Sequence, residues 1–318
     1  MFVEKTTLII PTYNREKLLE KLLFHLKELK LNFLEIIVID SSEKKIRNKI
    51  IKICKFFKTK LYFSKPSTSI QRNIGLKKAN KKSKYIMFLD DDILFYKNSF
   101  LEMNKLISFN KFDESISGFG FNMNIVNKKD FIEYIKESNI IKKIGLYSEQ
   151  PGKITRSGWQ TKIKNIRKDT FVDWIYTAAS VYKANKIKNL KFSRNLGTYS
   201  YLEDLEFCLK LKKIYPENKL LISKLARFRH PNDIQRTSFS FGFLEIKNRY
   251  LIVKKYKLNT KLFFLGSLIR MFISLINVIK GNLKYIQRTI GNFISISICF
   301  FIEIFFFVFK FKSKMYTL

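Results

Sequence analysis

Residues 85–92 read YIMFLDDD, an apolar run followed at once by three aspartates. The run from Tyr85 to Leu89 is short and unbroken, which is the pattern of a strand buried on both faces of a parallel sheet. Carboxylates crowded at the end of such a strand repel one another and resist desolvation. A divalent cation removes that cost, because hard cations bind carboxylate and phosphate oxygens together. The stretch therefore predicts a metal–diphosphate site at the carboxyl edge of a sheet, with a solvated acidic turn as the alternative.

Strands and helices alternate upstream of this run. Apolar stretches predict strands over residues 7–10, 35–39 and 61–64, and helical spacing of leucines and isoleucines predicts helices over 15–29, 46–57 and 69–79. The first strand is expected to end at Pro11. Further on, residues 174–182 are β-prone and residues 202–213 have a helical pattern. The alternation predicts an α/β fold with a mostly parallel sheet and helices on both faces.

The composition limits the class of protein. Of the 318 residues, 46% are hydrophobic, which excludes a disordered chain, and the net charge is +35. Such a charge attracts nucleic acid, anionic lipid or nucleotide phosphates. A nucleic-acid-binding protein fits the charge, but no RNP, helix-turn-helix, KH or zinc pattern occurs, so no nucleic acid is expected as partner. Cys54, Cys208 and Cys299 are far apart and are expected to be reduced thiols in a cytosolic compartment.

The tail from about residue 260 is apolar and basic, with almost no acid. Residues 293–309 form an apolar run interrupted by serines and by Glu303, and we expect Lys280, Lys284 and Arg288 upstream to share one helical face. This pattern favours a helix lying on an anionic membrane surface. A crossing helix would have to bury Glu303 in hydrocarbon. Packing on the main domain or on a second subunit is the alternative.

Five sequence motifs occur in an order that resembles the family-2 glycosyltransferases of GT-A fold. They are IIPTYNR from Ile9, EIIVID ending at Asp40, QRNIGL with Arg72, FLDDD from Phe88, and LEDLE from Leu202. The resemblance extends over roughly residues 4–255, including the region around Arg249. It implies a GT-A type nucleotide-diphospho-sugar transferase fold over residues 1–225, with a donor half to about 95 and an acceptor half from 96. Residues 226–318 are expected to form a helical, membrane-associated extension.

The resemblance also implies a donor-nucleotide site. Its residues are Pro11, Thr12, Tyr13, Asp40, Arg72, Asp90 and Asp91. Asp40 resembles the acid that accepts the base imide N–H, and a helix cap is the alternative. Arg72 resembles the arginine near the diphosphate, since a guanidinium forks onto phosphate oxygens; a surface arginine is the alternative.

A metal site follows from the same motifs. The resemblance implies Mn²⁺ or Mg²⁺ bound by Asp92, Asp90 and His230, with a plain loop histidine as the alternative for His230. Which two of the three aspartates bind the metal stays open, because Ile93 stands where many family members have a further acid. The cation would neutralise charge on the departing nucleotide.

Two acids and two tryptophans complete the predicted site. Glu203 and Asp204 resemble the family's ED motif, in which Asp204 is the general base and Glu203 helps to position it. The alternative is that the helix dipole alone accounts for these acids, because it stabilises negative side chains in the first turn of a helix. Trp159 and Trp174 are candidates for stacking on an acceptor sugar, and core packing is the alternative for both.

The expected activity is metal-dependent, inverting transfer of a sugar from a UDP, dTDP or GDP donor to a hydroxyl of a glycan or lipid-linked glycan. The enzyme is expected to be cytoplasmic and peripheral on the inner face of the cell membrane. A nucleotidyltransferase is the second alternative. Such enzymes usually have a glycine-rich phosphate loop near the N-terminus, where this chain has PTYNR.

Overall fold

The computed structural model describes residues 1–124, 138–230 and 236–315, with side chains as far as residue 305. The chain divides into two compact units. The sheet unit comprises Met1–Lys128, Gln150–Lys153 and Thr161–Asp233, and the helical unit comprises Lys129–Glu149, Ile154–Gln160 and Ile234–Leu318. The domain ranges predicted from the sequence stay a prediction.

Nine strands of the described residues form one mixed sheet in the sheet unit. They are β1 (Thr6–Thr12), β2 (Glu35–Asp40), β3 (Lys60–Phe63), β4 (Tyr85–Leu89), β5 (Leu94–Phe95), β6 (Ile116–Met123), β7 (Thr170–Val172), β8 (Ala179–Lys183) and β9 (Lys219–Arg229). The order is β3-β2-β1-β4-β8-β6-β9-β5, and β7 pairs with β9. Strands β1 to β4 are mutually parallel, whereas β8 runs antiparallel to β4 and β6. The predicted α/β class is confirmed.

The four helices predicted over residues 15–29, 46–57, 69–79 and 202–213 are present within about two residues of those bounds. The helices of the sheet unit are α1 (Glu16–Glu28), α2 (Lys44–Phe56), α3 (Thr68–Lys78), α4 (Ser99–Phe109), α6 (Ala184–Ile187) and α7 (Glu203–Ile214). Those of the helical unit are α5 (Asn139–Ile144), α8 (Phe239–Lys255), α9 (Thr260–Ile279) and α10 (Tyr285–Met315). Helix α3 begins after Ser67, whose hydroxyl accepts a hydrogen bond from the backbone N–H of Ile70.

The first strand is longer than its sequence predicts. Strand β1 continues through Pro11 to Thr12, and Pro11 lies opposite Ile39 of β2. On the other side of β1 the pairing with β4 ends at Ile9. Pro11 therefore has a strand neighbour on one side only, which is where a residue without an N–H is tolerated.

The central strands are buried as their apolar sequences predict. Leu8, Ile9, Met87 and Phe88 have no exposed surface. Because β1, β2 and β4 are parallel, their carboxyl ends meet at one edge of the sheet. The residues that follow these ends are Tyr13, Ser41 and Asp90.

The helical unit has an apolar core formed by Ile246, Tyr250, Val253, Phe263 and Cys299. In the described part of the chain, α9 and residues 285–305 of α10 are each long and apolar enough to cross a membrane, as judged by length and composition alone.

One prediction about the tail is wrong. Lys280, Lys284 and Arg288 do not share a helical face, because α9 ends at Ile279 and α10 begins at Tyr285. Lys280 and Lys284 lie in the connecting turn, where Gly281 has a φ of 87° that other residues rarely adopt. Arg288 alone is helical, and it is buried.

Candidate active site

Glutamine 71 fixes the spacing of the first two strand ends. Its Nε2 donates to the carbonyl oxygens of Thr12 and Ile39, each at 2.8 Å. These carbonyls lie at the carboxyl ends of β1 and β2. The fully buried amide thus joins two strands and one helix at the edge where the predicted donor site lies. Gln71 is the first residue of the QRNIGL motif, but the motif did not predict a role for it.

The three consecutive aspartates point to different partners. Asp90 accepts a hydrogen bond from Arg72 at 2.7 Å. Asp91 accepts from Thr12 Oγ1 at 2.8 Å and from Arg15 at 3.1 Å. Asp92 accepts from the same Arg15 nitrogen at 3.0 Å, and its other oxygen lies 3.3 Å from Nε2 of His230. The middle aspartate is thereby turned toward β1 and its neighbours toward the edge.

Asp90, Asp92 and His230 form a group that can bind a metal. One ligand atom from each residue lies within 4.8 Å of the others. Two carboxylate oxygens and an imidazole nitrogen suit Mn²⁺, and the carboxylates suit Mg²⁺ as well. The donor set therefore fits the predicted cofactor. The structure brings together the three residues that the sequence resemblance had named, and Asp91 is not among them.

Arg15 neutralises part of the acidic cluster and was missed by the sequence reasoning. Burial raises the pKa of Asp91 to about 6, although Arg15 and Thr12 act in the lowering direction. Burial would lower the pKa of Arg15, but the three neighbouring aspartates raise it overall, so the guanidinium stays charged. The only sequence signal for this contact was the position of Arg15 directly after PTYN.

Arg72 lies between two acids that come from different parts of the chain. Only 1% of its surface is exposed, which excludes the surface-arginine alternative. It donates to Asp90 and to Oε1 of Glu203, and Thr177 donates to the same Glu203 oxygen at 3.1 Å. Burial opposes the charge on Arg72, but the carboxylates raise its pKa overall. The arginine connects the strand-end acids to the first residue of α7.

Helix α7 begins in strained backbone. Leu202 has a φ of 71° and Ser200 a φ of 49°, which are left-handed conformations that cost free energy in residues other than glycine. The hydroxyl of Ser200 lies 3.1 Å from that of Ser67 and donates to the carbonyl of Gly197 at 2.9 Å. These bonds help to hold the strained turn. They fix the direction in which α7 presents its first two acids.

The two acids of α7 have different surroundings. Glu203 is bound by Arg72 and Thr177, and burial raises its pKa. Oδ1 of Asp204 accepts a hydrogen bond from the backbone N–H of Leu205 at 2.8 Å. Oε1 of Glu203 thus already accepts two hydrogen bonds, and the general-base role of Asp204 stays a prediction.

Asp40 has one satisfied and one unsatisfied oxygen. Its Oδ1 accepts from the backbone N–H of Ser42 at 2.9 Å. Among the described residues Oδ2 has no hydrogen-bond partner, although Asp40 is fully buried. Asp40 does not cap α2, because the N-cap position is Glu43. A buried acceptor without a partner is costly and needs an explanation, such as a ligand N–H.

The other predicted donor residues surround the end of β1. Pro11 and Thr12 are buried within the strand, and Tyr13 directly after it is 46% exposed. Asn14, at a φ of 53°, donates its backbone N–H to the hydroxyl of Ser42 at 2.8 Å. The bond ties the loop after β1 to the loop after β2 and leaves the Tyr13 ring exposed.

The two tryptophans take part in packing. Trp174 is 2% exposed and packs edge-on against Tyr176 in the sheet unit, with ring centroids 4.6 Å apart. Trp159 belongs to the helical unit, where the guanidinium of Arg249 lies 3.8 Å from its ring centroid. The core-packing alternative describes both rings in this structure. Acceptor contact stays a prediction for each.

Comparison with known proteins gives a family match for about the first half of the chain. Residues 7–160 match the family model described as glycosyl transferase family 2. An uncharacterized glycosyltransferase of Rickettsia bellii is 34% identical over 143 residues, covering 39% of this chain. The chain spans about a fifth of the length of the curated relatives it matches. Asp204 and His230 lie beyond the matched residues, so their assignment rests on geometry and on the motif order.

Solved structures with the same fold include two metal complexes. The mannosyltransferase PcManGT from Pyrobaculum calidifontis, in complex with GDP-Man and Mn²⁺, superposes with a TM-score of 0.53 at 11% identity. The match covers 92% of this chain and 86% of that one. GalNAc-T7 with UDP, GalNAc and Mn²⁺ gives a TM-score of 0.52 at 16% identity, covering 78% of this chain and 47% of that one. At these identities the similarity establishes the fold.

Proposed function

Because residues 7–160 of this chain belong to glycosyltransferase family 2, a family of transferases, we propose that the protein moves a sugar from a nucleotide-diphosphate donor to a hydroxyl of a glycan or lipid-linked glycan. The observation that supports this most is the group formed by Asp90, Asp92 and His230 at the end of a buried parallel strand. The likeness in fold to proteins solved with GDP-Man or UDP together with Mn²⁺ agrees with such a donor.

The nucleotide end of the donor is assigned to the loops after β1 and β2. The Oδ2 of Asp40 is a buried acceptor in need of a donor, and a base imide N–H supplies one. The exposed ring of Tyr13 offers a flat apolar surface beside it. Pro11 and Thr12 set the end of the strand from which that loop departs. This part of the site would bind the donor before any chemistry.

The diphosphate end is assigned to the acidic edge. Asp90, Asp92 and His230 would bind Mn²⁺ or Mg²⁺, which supplies charge neutralisation for the departing nucleotide. Arg15 keeps Asp91 and Asp92 in place from the other side. Arg72 holds Asp90 and is itself fixed by Glu203, so the ligand carboxylate cannot rotate away.

Proton removal is assigned to Asp204. The acceptor hydroxyl attacks the anomeric carbon and gives its proton to the carboxylate, while the nucleotide diphosphate leaves from the opposite face, which inverts the configuration. Glu203 is a positioning residue, because it is paired with Arg72. The strained turn at Ser200 and Leu202 sets the direction of both acids.

The proposed location is the cytoplasmic face of the cell membrane. The three cysteines are unpaired and buried, which agrees with a reducing compartment. Helices α9 and α10 offer apolar surface to a membrane, and the net charge of +35 favours anionic lipid.

A donor screen tests the proposal. UDP-, dTDP- and GDP-sugars are incubated with the protein and a mixture of lipid-linked glycans, and release of the nucleotide diphosphate is measured with Mn²⁺ and with EDTA. We expect release from one nucleotide class, only with the metal, and none from Asp92→Asn. Glu114→Gln, an exposed acid outside the site, is the matched control and should behave as wild type. Equal release in EDTA and in Asp92→Asn would contradict the metal-dependent mechanism.

A further inference from the structure

Helix α9 exposes most of its large apolar residues. Its buried side combines two apolar residues, Phe263 and Ile273, with the small or polar residues Gly266, Ser267 and Ser274, and Arg270 is partly buried. Its exposed side is a stripe of large apolar residues at helical spacing: Leu265, Leu268, Phe272, Leu275 and Ile279. A helix against water places its apolar stripe inward. A helix in contact with lipid is expected to place its apolar stripe outward and its small and polar residues inward.

Helix α10 repeats this arrangement. The buried positions are Arg288, Gly291, Asn292, Ser295 and Cys299. The exposed side is again apolar and includes Ile286, Ile290, Phe293, Ile294, Ile298 and Phe301. Glycines allow a close approach to α8, because a Cβ at Gly242 or Gly291 would collide with a backbone carbonyl of the other helix. Small residues at such contacts are typical of helices packed in membranes.

A buried ion triad joins the two helices to α8. Glu245 of α8 accepts from Nε of Arg270 at 3.0 Å and from Arg288 at 2.6 Å. Further along, Glu303 accepts from the hydroxyl of Tyr250 at 2.7 Å and lies 2.8 Å from Nζ of Lys254. Polar contacts therefore attach α8 to the middle of α9 through Arg270 and to α10 through Arg288 and Glu303.

These attachments argue against a crossing. Residues 245–249 of α8 read EIKNR, and four of these five are charged or carry an amide. If α9 and α10 crossed a bilayer with their contacts intact, this segment would have to enter the hydrocarbon beside them, which is costly. If the contacts broke, Arg270 and Arg288 would be left without their carboxylate.

We infer that α9 and α10 form a hairpin anchored in one leaflet: the outer stripes contact acyl chains, and the inner sides stay on α8 without crossing. The inference names the lipid-contacting residues of the membrane association proposed above and rests on it. Charge favours a bilayer over a second copy, because the turn between the helices contains Lys280 and Lys284, which match anionic headgroups and would repel a like-charged copy. The exposed Leu283 lies in that turn.

Thiol labelling of the turn tests whether the hairpin crosses. Leu283→Cys is expressed in bacterial cells and exposed to a membrane-impermeant maleimide before and after lysis. The native cysteines are buried, so wild type gives the background. We expect label only after lysis, because the turn stays on the cytoplasmic side. Label in intact cells would overturn the inference while leaving membrane association in place.

Flotation with vesicles tests which residues contact lipid. The full chain is mixed with phosphatidylcholine vesicles and with vesicles containing phosphatidylglycerol. We expect it to float with both, more strongly with the second, and the double variant Phe272→Gln/Ile290→Gln to lose at least tenfold in binding to both. Phe109→Gln/Phe112→Gln is the matched control, since these rings are 90% and 88% exposed but belong to the sheet unit.

The remaining outcomes decide between the two proposals. Wild-type flotation that the hairpin variant does not reduce would overturn the inference alone. Failure of wild type to float with either vesicle would overturn the membrane association itself. A wild-type dimer in lipid-free sedimentation that the hairpin variant converts to monomer would assign the stripes to a second copy and overturn the inference.

Discussion

Each unit of the molecule contains a buried triad of arginine and carboxylate, and the two triads have opposite stoichiometry. In the sheet unit one arginine, Arg72, lies between Asp90 and Glu203. In the helical unit one carboxylate, Glu245, lies between Arg270 and Arg288. The first triad is short of positive charge and the second has an excess of it.

The pKa values of the two glutamates follow this difference. Burial acts to raise both, and for Glu203 it prevails over the single arginine, so that its pKa is raised. For Glu245 the two arginines prevail and lower its pKa to about 2. The acid-rich triad includes Asp90 of the group that can bind a metal, whereas the arginine-rich triad keeps its carboxylate charged and attaches helices. The first is expected to govern activity and the second stability.

Asp92→Ala should have the largest effect, because it removes one of the three proposed metal ligands, beside Asp90 of the acid-rich triad. We expect turnover to fall by about 10³-fold or more, the scale of several kcal/mol of lost charge stabilisation. Metal-dependent nucleotide binding should be lost while the fold is kept. Calorimetry with UDP, GDP and dTDP, in Mn²⁺ and in EDTA, measures this. Nucleotide binding that is the same in the mutant and in EDTA would show that the metal site lies elsewhere.

Glu245→Gln should act on stability. Removing the carboxylate leaves Arg270 and Arg288 without their anionic partner, at a cost of about 3–5 kcal/mol for a broken buried pair. The loss of stability should appear as faster hydrogen exchange of the α8 backbone amides. Donor binding by the folded protein should be unchanged. Glu303→Gln is the control, because that acid is a quarter exposed and should matter less. Equal protection in wild type and Glu245→Gln would mean that the triad does not attach the helices.

The stability lost in Glu245→Gln should depend on pH. Because the pKa of Glu245 is lowered from 4.5 to about 2 on folding, its contribution to stability is present above pH 4.5 and is lost as the pH falls toward 2. The difference in unfolding free energy between wild type and Glu245→Gln should therefore be constant near neutral pH and shrink in acid. A difference that grows on acidification would contradict the assigned charge.

Asp204→Asn should reduce transfer by about 10²-fold or more, the usual scale for a lost general base, with donor binding nearly unchanged. The amide keeps the shape of the side chain and removes the basic oxygen. Single-turnover rates at saturating donor measure the effect. If transfer in this variant stays near normal, the base must be sought at Glu203 or outside α7.

Asp91→Asn should have the smallest effect. Asp91 supports the cluster through Thr12 and Arg15 but is outside the metal-binding group. Loss of such a supporting residue typically weakens metal affinity by about 10–100-fold. Mn²⁺ titration followed by electron paramagnetic resonance would measure it beside Asp92→Asn. Complete loss of Mn²⁺ binding in Asp91→Asn would make Asp91 a ligand.

Local patterns were enough to predict the donor half of the fold. The strands β2 and β4 and the helix α2 follow from their apolar patterns, because each of them buries an apolar side. Helix α3 buries Ser69, Gln71, Arg72 and Gly75 instead. The apolar runs of β2 and β4 also placed Asp40 and Asp90 at the carboxyl ends of these strands. The α/β class is confirmed, and residues 7–160 match the model of glycosyl transferase family 2. The contact of His230 with Asp92 was expected only from the resemblance, since the two residues are far apart in the chain.

The rest depended on tertiary placement. Nothing near Arg15 in the sequence says that α1 would turn its first residues toward Asp91 and Asp92. The apolar composition of the tail was evident, but which side of α9 and α10 is buried depends on Glu245 of another helix. The turn at Gly281 also separated lysines that a continuous helix would have aligned. Long-range pairing and chain reversals are the features that local periodicity does not encode.

If Asp40 binds the base as proposed, its buried Oδ2 predicts a preference among nucleobases. A carboxylate in this place can only accept, so it suits bases that present a ring N–H, as uracil, thymine and guanine do. Cytosine and adenine present a lone pair at the corresponding ring nitrogen, so a hydrogen bond to Oδ2 would have to come from their exocyclic amino group, in a different position. Sites built around a hydrogen bond to one group discriminate against analogues that lack it there. We therefore expect uridine, thymidine and guanosine donors to be preferred over cytidine and adenosine donors, whichever sugar they carry.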